Sequence, residues 1–532
     1  MQRRSRNGCI DCRKSKVKCD EIRPFCGTCT RRQHICQGYA TPPPPIQKAP
    51  KTGKHDRRDS DVRGRDEATI EVYFERHPCD IIIGPEFVNE MNANVLKVLQ
   101  HNPHAIVDAL SAIGHCYLND STLDSSLVVL NYRARILATL RAMELSRHIL
   151  EEMILLLLGL CGMELVDSRT APSQSTLPII IANAASLINH HVSTGREVSS
   201  LARYFIRGLA RQDMVISLVQ MRRMAIPSSV WLDGEAKTSA DRLMGYTSTL
   251  MPLLEELCAL AEDVRHLLED ADYHVQQQEQ QQFLLEETPF ESPPPYLDDG
   301  FGGAGVEHIG SESMAMYGDH DMFHSDDLSA SFHHHNSTAF HPQTSVPTSN
   351  TAAPPDRCTD YLRRADELRV RIELWKPSLP HGMSFRQSRR YLSQASCYRS
   401  GALLYLFRLL NPAGAPSTMS CPRWGADTGP TATDGEATAM AHDVLMATNS
   451  ADGDDIKMLL WPVFFAACEM SAPEDRRMVL DMFDEILARR RTVTAQRIKE
   501  FVLNRVWAAR DEGRQWNWAV LARQFPGECL PI

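Results

Sequence analysis

The amino-acid sequence predicts a small metal-nucleated cysteine module of two short helices, followed by a large all-α body that a disordered acidic segment interrupts. Three observations lead to this fold class. Six cysteines are concentrated in the first 36 residues. Apolar residues recur at helical spacing from about residue 67 onward. One long stretch, between Arg265 and Arg357, contains no lysine or arginine. At 532 residues the chain corresponds to about 3.5 average domains.

The charge of the chain is distributed unevenly. Residues 1–40 contain ten Lys or Arg and three Asp or Glu, which gives them a net charge of +7, whereas the remainder carries −17. A small basic module joined to a large acidic body is typical of a protein that binds a polyanion through one end.

Two classes of protein are disfavoured by the apolar pattern. No apolar segment follows the basic start at Met1–Gly8, so we expect no secretory signal. The longest apolar stretch, Met153–Met163, is too short to cross a bilayer and is expected to be a core helix. The expected compartment is therefore reducing, where clustered cysteines bind metal more often than they form disulfides.

The N-terminal cysteines form a doubled unit. The pattern C-x2-C-x6-C occurs twice with an offset of 17 residues, at Cys9, Cys12, Cys19, Cys26, Cys29 and Cys36. Soft thiolates select zinc, which takes four ligands in a structural site. Six thiolates make one site with two cysteines left over, or two sites that share two bridging sulfurs. The internal repeat favours the second arrangement, with Cys9 and Cys26 as the natural bridges.

A segment of this size depends on its metal. About 30 residues cannot bury enough apolar surface to fold alone, so metal binding is expected to supply the folding free energy. A disulfide knot or a scavenging cluster is the alternative reading, which the doubled spacing disfavours.

The run from Gly8 to Glu21, with Pro24 and Cys26 after it, resembles the fungal Zn2Cys6 binuclear cluster. The resemblance implies two zinc ions and two helices related by a pseudo-twofold axis, with the first helix entering the DNA major groove, commonly over a CGG triplet. It also implies two ligand sets, which are Cys9, Cys12, Cys19 and Cys26 for one zinc and Cys26, Cys29, Cys36 and Cys9 for the other.

Basic residues lie between the predicted metal ligands. Lysine and arginine are the side chains that most often read guanine in the major groove, and by the resemblance Lys16 matches the lysine that reads the triplet. Position 15 is serine, where many relatives carry a second basic residue. Contacts to phosphate position a module without reading sequence, and we expect them from the second unit. The candidate DNA-binding residues are Arg13, Lys14, Lys16 and Lys18 in the first unit and Arg31 and Arg32 in the second.

The remainder of the chain divides by composition. Residues 41–66 are predicted to be a proline-rich and charged linker, followed by helical regions at 67–274 and 358–532. Between these, residues 275–357 are rich in glutamine, proline, acidic and aromatic residues and are predicted to be disordered. This composition is typical of an activation segment that folds on a coactivator, although a passive surface insertion has the same composition.

Several motifs in the helical regions resemble the fungal-specific transcription factor domain. They are Leu459–Glu469, Asn504–Trp507 and Trp516–Trp518. The resemblance implies an all-helical regulatory region that binds effectors or partners. The sequence Ser471–Glu474 also predicts a capping box at the start of a helix.

The sequence therefore predicts a zinc-dependent, sequence-specific transcription factor in a fungal nucleus, regulating RNA polymerase II transcription at CGG-type half-sites. Its expected partner is double-stranded DNA, with no membrane. The sequence leaves open whether the protein forms a homodimer or heterodimer and whether it binds coactivator or mediator components. A repressor or an architectural DNA-binding partner is the main alternative. An enzyme is disfavoured because no catalytic motif occurs in a plausible context.

Overall fold

The structure, a computed structural model, describes residues 9–20, 26–32, 36, 56–101, 103–118, 123–144, 150–286, 357–413, 430–451 and 453–532. Within these ranges the regular structure is helical, without strands, apart from one isolated β-bridge between Asp241 and Gly245. The chain separates into two compact units, Met1–Arg65 and Asp66–Ile532. The predicted all-α body is confirmed.

The first unit contains two five-residue helices, α1 (Ile10–Lys14) and α2 (Gly27–Arg31). Its buried cluster consists of the six cysteines, with the partly buried Val17 packed against them. A core of this size supplies little hydrophobic stabilisation, so the unit needs another source of folding free energy.

The second unit is a stack of helices. Before residue 287 they are α3 (Asp56–Ile81, of which the residues from Asp66 onward belong to this unit), α4 (Val88–His101), α5 (Pro103–Leu118), α6 (Leu123–Glu144), α7 (Leu150–Val166), α8 (Leu177–Ser193), α9 (Ser200–Gln220), α10 (Gly234–Thr238) and α11 (Met251–Glu286). After residue 356 they are α12 (Arg357–Leu374), α13 (Phe385–Leu410), α14 (Pro430–Asn449), α15 (Leu460–Glu469), α16 (Pro473–Arg489), α17 (Val493–Phe501), α18 (Ala508–Asp511) and α19 (Trp518–Gln524). None of the described helices is both long enough and apolar enough to cross a membrane.

Two helices are buried on nearly all sides and form the centres of the second unit. In α7 only two of the 17 residues, Glu151 and Leu158, are not fully buried, and in α15 all ten residues are buried. A helix that is apolar all round must be surrounded by others. Around α15 the aromatic rings meet edge to face or tilted, with centroids 5.0 Å apart for Tyr398–Trp461 and 4.9 Å apart for Phe465–Trp518.

Close helix packing around α15 depends on a glycine and on a π-helical turn. A Cβ atom at Gly401 of α13 would lie only 2.9 Å from Pro462 Cβ of α15, so a larger residue would force the two helices apart. The π-helical turn Val502–Trp507 links α17 to α18. There the indole Nε1 of Trp507 donates a hydrogen bond of 2.8 Å to the carbonyl oxygen of Ala467 in α15.

Three sequence predictions differ from the structure. Helix α11 continues to Glu286, because glutamine, glutamate and leucine all favour helix, so residues 275–286 of the predicted disordered insertion are helical. Helix α3 begins at Asp56, inside the predicted linker. The predicted capping box was wrong, because the N-cap of α16 is Ala472 with proline at the next position and no side-chain cap. Residues 41–55 of the linker and 287–356 of the acidic segment lie outside the described residues.

A buried carboxylate caps helix α8 from another helix. The residue at the N-cap of α8, Thr176, makes no side-chain capping bond itself. Instead the Glu164 carboxylate accepts hydrogen bonds from the amides of Thr176 (2.9 Å) and Leu177 (3.2 Å) and from the Ser175 hydroxyl (3.0 Å). The Arg133 guanidinium and the Thr176 hydroxyl also contact it. One acid therefore satisfies the first amides of α8 and joins α6, α7 and α8.

Replacing this carboxylate tests its capping role. We expect Glu164→Gln to lower the free energy of unfolding by about 1.5–3 kcal/mol. The glutamine side chain loses the charge-assisted hydrogen bonds, and its NH2 group would face N–H and O–H groups that need an acceptor. Urea unfolding measures the change, with the exposed Glu71→Gln as matched control. A loss below about 0.5 kcal/mol, the range of ordinary surface substitutions, would contradict the assignment.

Candidate metal centre and nucleic-acid interface

The six cysteines of the first unit are buried, and four of their sulfurs form a compact group. Cys9 Sγ lies 3.4 Å from Cys26 Sγ and 3.7 Å from Cys29 Sγ. Cys12 Sγ lies 3.6 Å from Cys26 Sγ and 3.7 Å from Cys29 Sγ. These separations exceed the length of a disulfide bond, about 2.05 Å. The cysteines whose side chains the structure describes are free thiols.

The two cysteine units make the same hydrogen bonds, 17 residues apart. In each unit the amide of the second cysteine donates to the sulfur of the first, and the amide of the first donates to the sulfur of the third. The distances are 3.4 Å for Cys12–Cys9, 3.4 Å for Cys9–Cys19, 3.3 Å for Cys29–Cys26 and 3.5 Å for Cys26–Cys36. The sequence repeat is therefore also a repeat of backbone geometry, as a pseudo-twofold axis requires.

Cys9 and Cys26 each belong to two groups of neighbouring ligand atoms, as Cys29 also does. The sulfur of Cys9 lies within 4.8 Å of those of Cys29 and Cys36, and the sulfur of Cys26 lies within the same distance of that of Cys19. Both also belong to the central group with Cys12 and Cys29. The pairs Cys9–Cys26 and Cys12–Cys26 fall within the ligand sets that the resemblance implies, whereas Cys12 and Cys29, whose sulfurs lie 3.7 Å apart, belong to different sets.

The donor set fits zinc. A tetrahedral Zn²⁺ with Zn–S bonds of about 2.3 Å holds its sulfurs about 3.8 Å apart, close to the separations observed. Burial raises the pKa of the Cys9 and Cys12 thiols, and hydrogen bonding to Cys26 together with burial raises the pKa of Cys29 to about 12. Such thiols stay protonated at neutral pH unless a cation compensates the thiolate charge, so metal binding must release protons.

The end of α1 places one lysine in an unusual conformation. Lys16 has φ = 56°, in the left-handed region, and the amide of Val17 donates to the carbonyl oxygen of Cys12 at 3.0 Å. This 6→1 bond is the one that ends helices through a left-handed residue, which is usually glycine. A lysine in this conformation costs about 1–2 kcal/mol relative to right-handed geometry. Val17 meanwhile turns inward and packs on the cysteines, whereas Lys16 is exposed.

The predicted DNA-binding residues lie on the surface of this unit where the structure describes them. In the first cysteine unit Lys14, Lys16 and Lys18 are exposed. In the second, Arg32 is exposed, and so is Arg31. The side chain of Arg13 lies outside the described residues.

Asp20, an acid that the sequence reasoning did not single out, connects the two cysteine repeats of the first unit. The Asp20 carboxylate accepts a hydrogen bond of 3.1 Å from the amide of Gly27 at the start of α2. It also pairs with the Arg31 guanidinium at 3.5 Å, although 76% of the Arg31 side chain remains exposed. An ion pair this exposed contributes little to stability. The only sequence signal was an acid next to a cysteine ligand.

Two family models match the chain. The model described as "Fungal specific transcription factor domain" matches residues 72–296 and 327–525, which is more than half of the chain. The model described as "Fungal Zn(2)-Cys(6) binuclear cluster domain" matches residues 7–45. No solved structure matches the chain.

Curated relatives align with this chain over short segments. They include "Transcriptional regulatory protein moc3" of Schizosaccharomyces pombe, 47% identical over 38 residues, and "Sterol uptake control protein 2" of Candida albicans, 55% identical over 40 residues. A third is "Aspercryptin biosynthesis cluster-specific transcription regulator atnN" of Emericella nidulans, 46% identical over 65 residues. These alignments cover 7%, 8% and 11% of this chain and 8%, 6% and 10% of the three relatives, in that order.

The helical body and the cysteine module thus match the two domains of one class of transcription regulators. These regulators bind DNA through a domain that two zinc ions hold together, and they are not enzymes. The chain belongs to the family of fungal transcription regulators that have the fungal-specific transcription factor domain, with a Zn2Cys6 binuclear cluster at its N-terminal end.

Proposed function

We propose that this regulator reads CGG-type half-sites in DNA and controls RNA polymerase II transcription in the nucleus of a fungus. The observation that carries the proposal is the doubled cysteine geometry, with the exposed, left-handed Lys16 directly after α1. Left-handed lysine is costly, and glycine would fit the turn without strain. A strained residue at an exposed position is a reasonable mark of function.

Six cysteines hold the two zinc ions in this proposal. Cys9, Cys12, Cys19 and Cys26 bind one ion, and Cys26, Cys29, Cys36 and Cys9 bind the other, with Cys9 and Cys26 bridging. The short sulfur–sulfur distances and the repeated amide-to-sulfur bonds support this arrangement. Zinc supplies the positive charge that lets buried thiolates form. The amides that donate to the sulfurs orient them and reduce their charge.

The exposed basic side chains divide into two roles. Lys16 donates to guanine O6 and N7 in the major groove, with Lys14, Lys18 and Arg13 beside it. Arg31, which pairs with Asp20, and Arg32 contact phosphates and fix the position of the module.

A single module of this size contacts few base pairs, so specificity requires a second half-site. We propose that the protein binds as a dimer, with itself or with a relative.

We also propose that the acidic-aromatic segment within 275–357 recruits coactivator or mediator components and makes the protein an activator. A reporter fusion of residues 276–355 to a foreign DNA-binding domain separates this role from that of a repressor or an architectural partner, for which the fusion would stay silent.

Single cysteine substitutions distinguish bridging from terminal ligands. We expect Cys12→Ala to keep about one zinc per chain and Cys26→Ala to lose both, because only a bridging sulfur serves two ions. Native mass spectrometry of the full-length protein counts the ions. The exposed Cys79→Ala is the matched control and should keep two. Equal zinc loss in the Cys12 and Cys26 variants would contradict the bridging assignment.

Replacing Lys16 separates its backbone strain from its side chain. We expect Lys16→Gly to keep both zinc ions and to leave the module as stable or more stable, because glycine relieves the left-handed strain. The same variant should lose at least ~10-fold of its preference for CGG over other triplets, because the guanine contact is gone. Selection of bound DNA from a random pool measures the preference.

The outcomes of this selection are distinct. The control Arg32→Ala should weaken binding to all sequences alike. It should also reduce the slope of log K against log[salt] by about one, as the loss of a phosphate contact does. Paired CGG triplets at one spacing would indicate a dimer. If Lys16→Gly selects the same triplets as strongly as the unaltered protein, the reading role of Lys16 is wrong.

A further inference from the structure

The second unit contains an internal cavity of about 70 Å³ between helices α3, α4, α5, α7 and α9. Apolar side chains make up most of its wall, including Val95, Leu110, Leu155 and Phe205. Enclosed apolar cavities with a few converging polar groups are the usual form of small-molecule sites. Nothing in the DNA-binding role of the protein requires this cavity.

The polar part of the wall includes two buried arginines. Arg211 of α9 and Arg490 line the cavity, and these residues are only 3% and 2% exposed. Burial and the neighbouring charge of Arg211 both lower the pKa of Arg490, to about 9. The two cations are therefore close enough to repel each other.

Arg211 is poorly compensated within the protein. Its Nη2 donates to the carbonyl oxygen of Met458 at 3.3 Å, and its Nε has no hydrogen-bond partner. The side-chain oxygen of the adjacent Gln212 also lacks a partner. In the part of the chain that the structure describes, no Asp or Glu side chain lies within 4.0 Å of the Arg211 guanidinium. Arg490 donates to the main-chain carbonyl oxygen of Lys457 and to an oxygen of the terminal carboxyl group of Ile532, which also lines the cavity and pairs with Arg490 rather than with Arg211.

Other polar groups in the cavity are neutral or already paired. Arg242 lies 3.8 Å from the centroid of the Tyr204 ring and 3.9 Å from the Asp241 carboxylate. Burial, with a smaller effect from Arg490, lowers the pKa of His77 to about 3, so this imidazole is uncharged at neutral pH. The Asp80 carboxylate favours the charged form of Arg490 but does not pair with Arg211. Arg211 is therefore the charged side chain of the cavity wall for which no ion-pair partner is described.

We propose that this cavity binds a short-chain monocarboxylate, with its carboxylate on Arg211 and its alkyl chain against the apolar wall. A buried cation without a counter-ion is costly, and a carboxylate ligand removes that cost through charge-assisted hydrogen bonds. A cavity of about 150 Å³ holds benzene, so one of 70 Å³ suits a ligand of about three to five non-hydrogen atoms. Propionate has this size and charge.

The size of the cavity can be changed without disturbing the helices. Gly208 of α9 lines it, and a Cβ atom at this position would lie 3.4 Å from the nearest atom, Leu158 Cδ2, which is an ordinary contact. Alanine also favours helix more than glycine does. Gly208→Ala should therefore narrow the cavity while leaving the protein folded.

The test is calorimetric titration and thermal unfolding of the zinc-loaded full-length protein with sodium propionate. We expect saturable binding and a rise in Tm, with propionamide and sodium chloride at equal ionic strength giving neither. Arg211→Gln should weaken propionate binding at least ~10-fold, because the charge-assisted bond is lost. Gly208→Ala should weaken it several-fold by narrowing the cavity. Arg203→Gln, on the same helix but outside the cavity, should bind as the unaltered protein does.

Three results would overturn the proposal. No saturable binding of propionate to the folded, zinc-loaded protein would mean that the cavity holds only water. Equal effects of propionamide or chloride would mean that the carboxylate is not recognised. Unchanged propionate binding in both the Arg211 and the Gly208 variants would place the ligand elsewhere. None of these results depends on DNA binding, so the cavity and the zinc module are tested separately.

Discussion

The compensation of thiolate charge by metal is the interaction on which the N-terminal cysteine module of this protein depends. Six cysteine sulfurs are buried in a unit whose only other described core residue is the partly buried Val17. Four of the sulfurs lie within 3.7 Å of a neighbouring sulfur, a separation at which unneutralised thiolates would repel strongly. The positions of α1, α2 and the lysines after α1 therefore follow from the metal cluster rather than from hydrophobic packing.

The helical body obeys a different constraint. Its two centres, α7 and α15, are apolar on almost every side, so neighbouring helices must enclose them completely. Polar groups that this packing buries need partners, and Glu164 shows how one carboxylate meets the needs of several donors. Arg211 is the exception, because it lines a cavity and no carboxylate among the described residues pairs with its guanidinium. That contrast is why we infer a ligand at one place and a structural role at the other.

Sequence reasoning was strongest where chemistry fixes the spacing. The count and repeat of the cysteines predicted the doubled unit, because the coordination number of zinc limits the possible arrangements. The conformation of Lys16 could not be predicted, since the packing of Val17 against the cluster determines it. The cap on α8 was also hidden, because Glu164 lies on another helix, 13 residues before Leu177. At α16 the proline after Ala472 begins the helix without the serine cap that the local pattern suggested.

The central claim is that the two-zinc cluster creates the DNA-reading surface. Stepwise addition of zinc to the metal-free full-length protein tests it most directly, with native mass spectrometry counting the ions and fluorescence anisotropy reporting the binding of a CGG-containing duplex. The account predicts that specific binding, measured against a scrambled duplex, appears only with the species that holds two zinc ions. Equally tight and specific binding by the metal-free protein would contradict it.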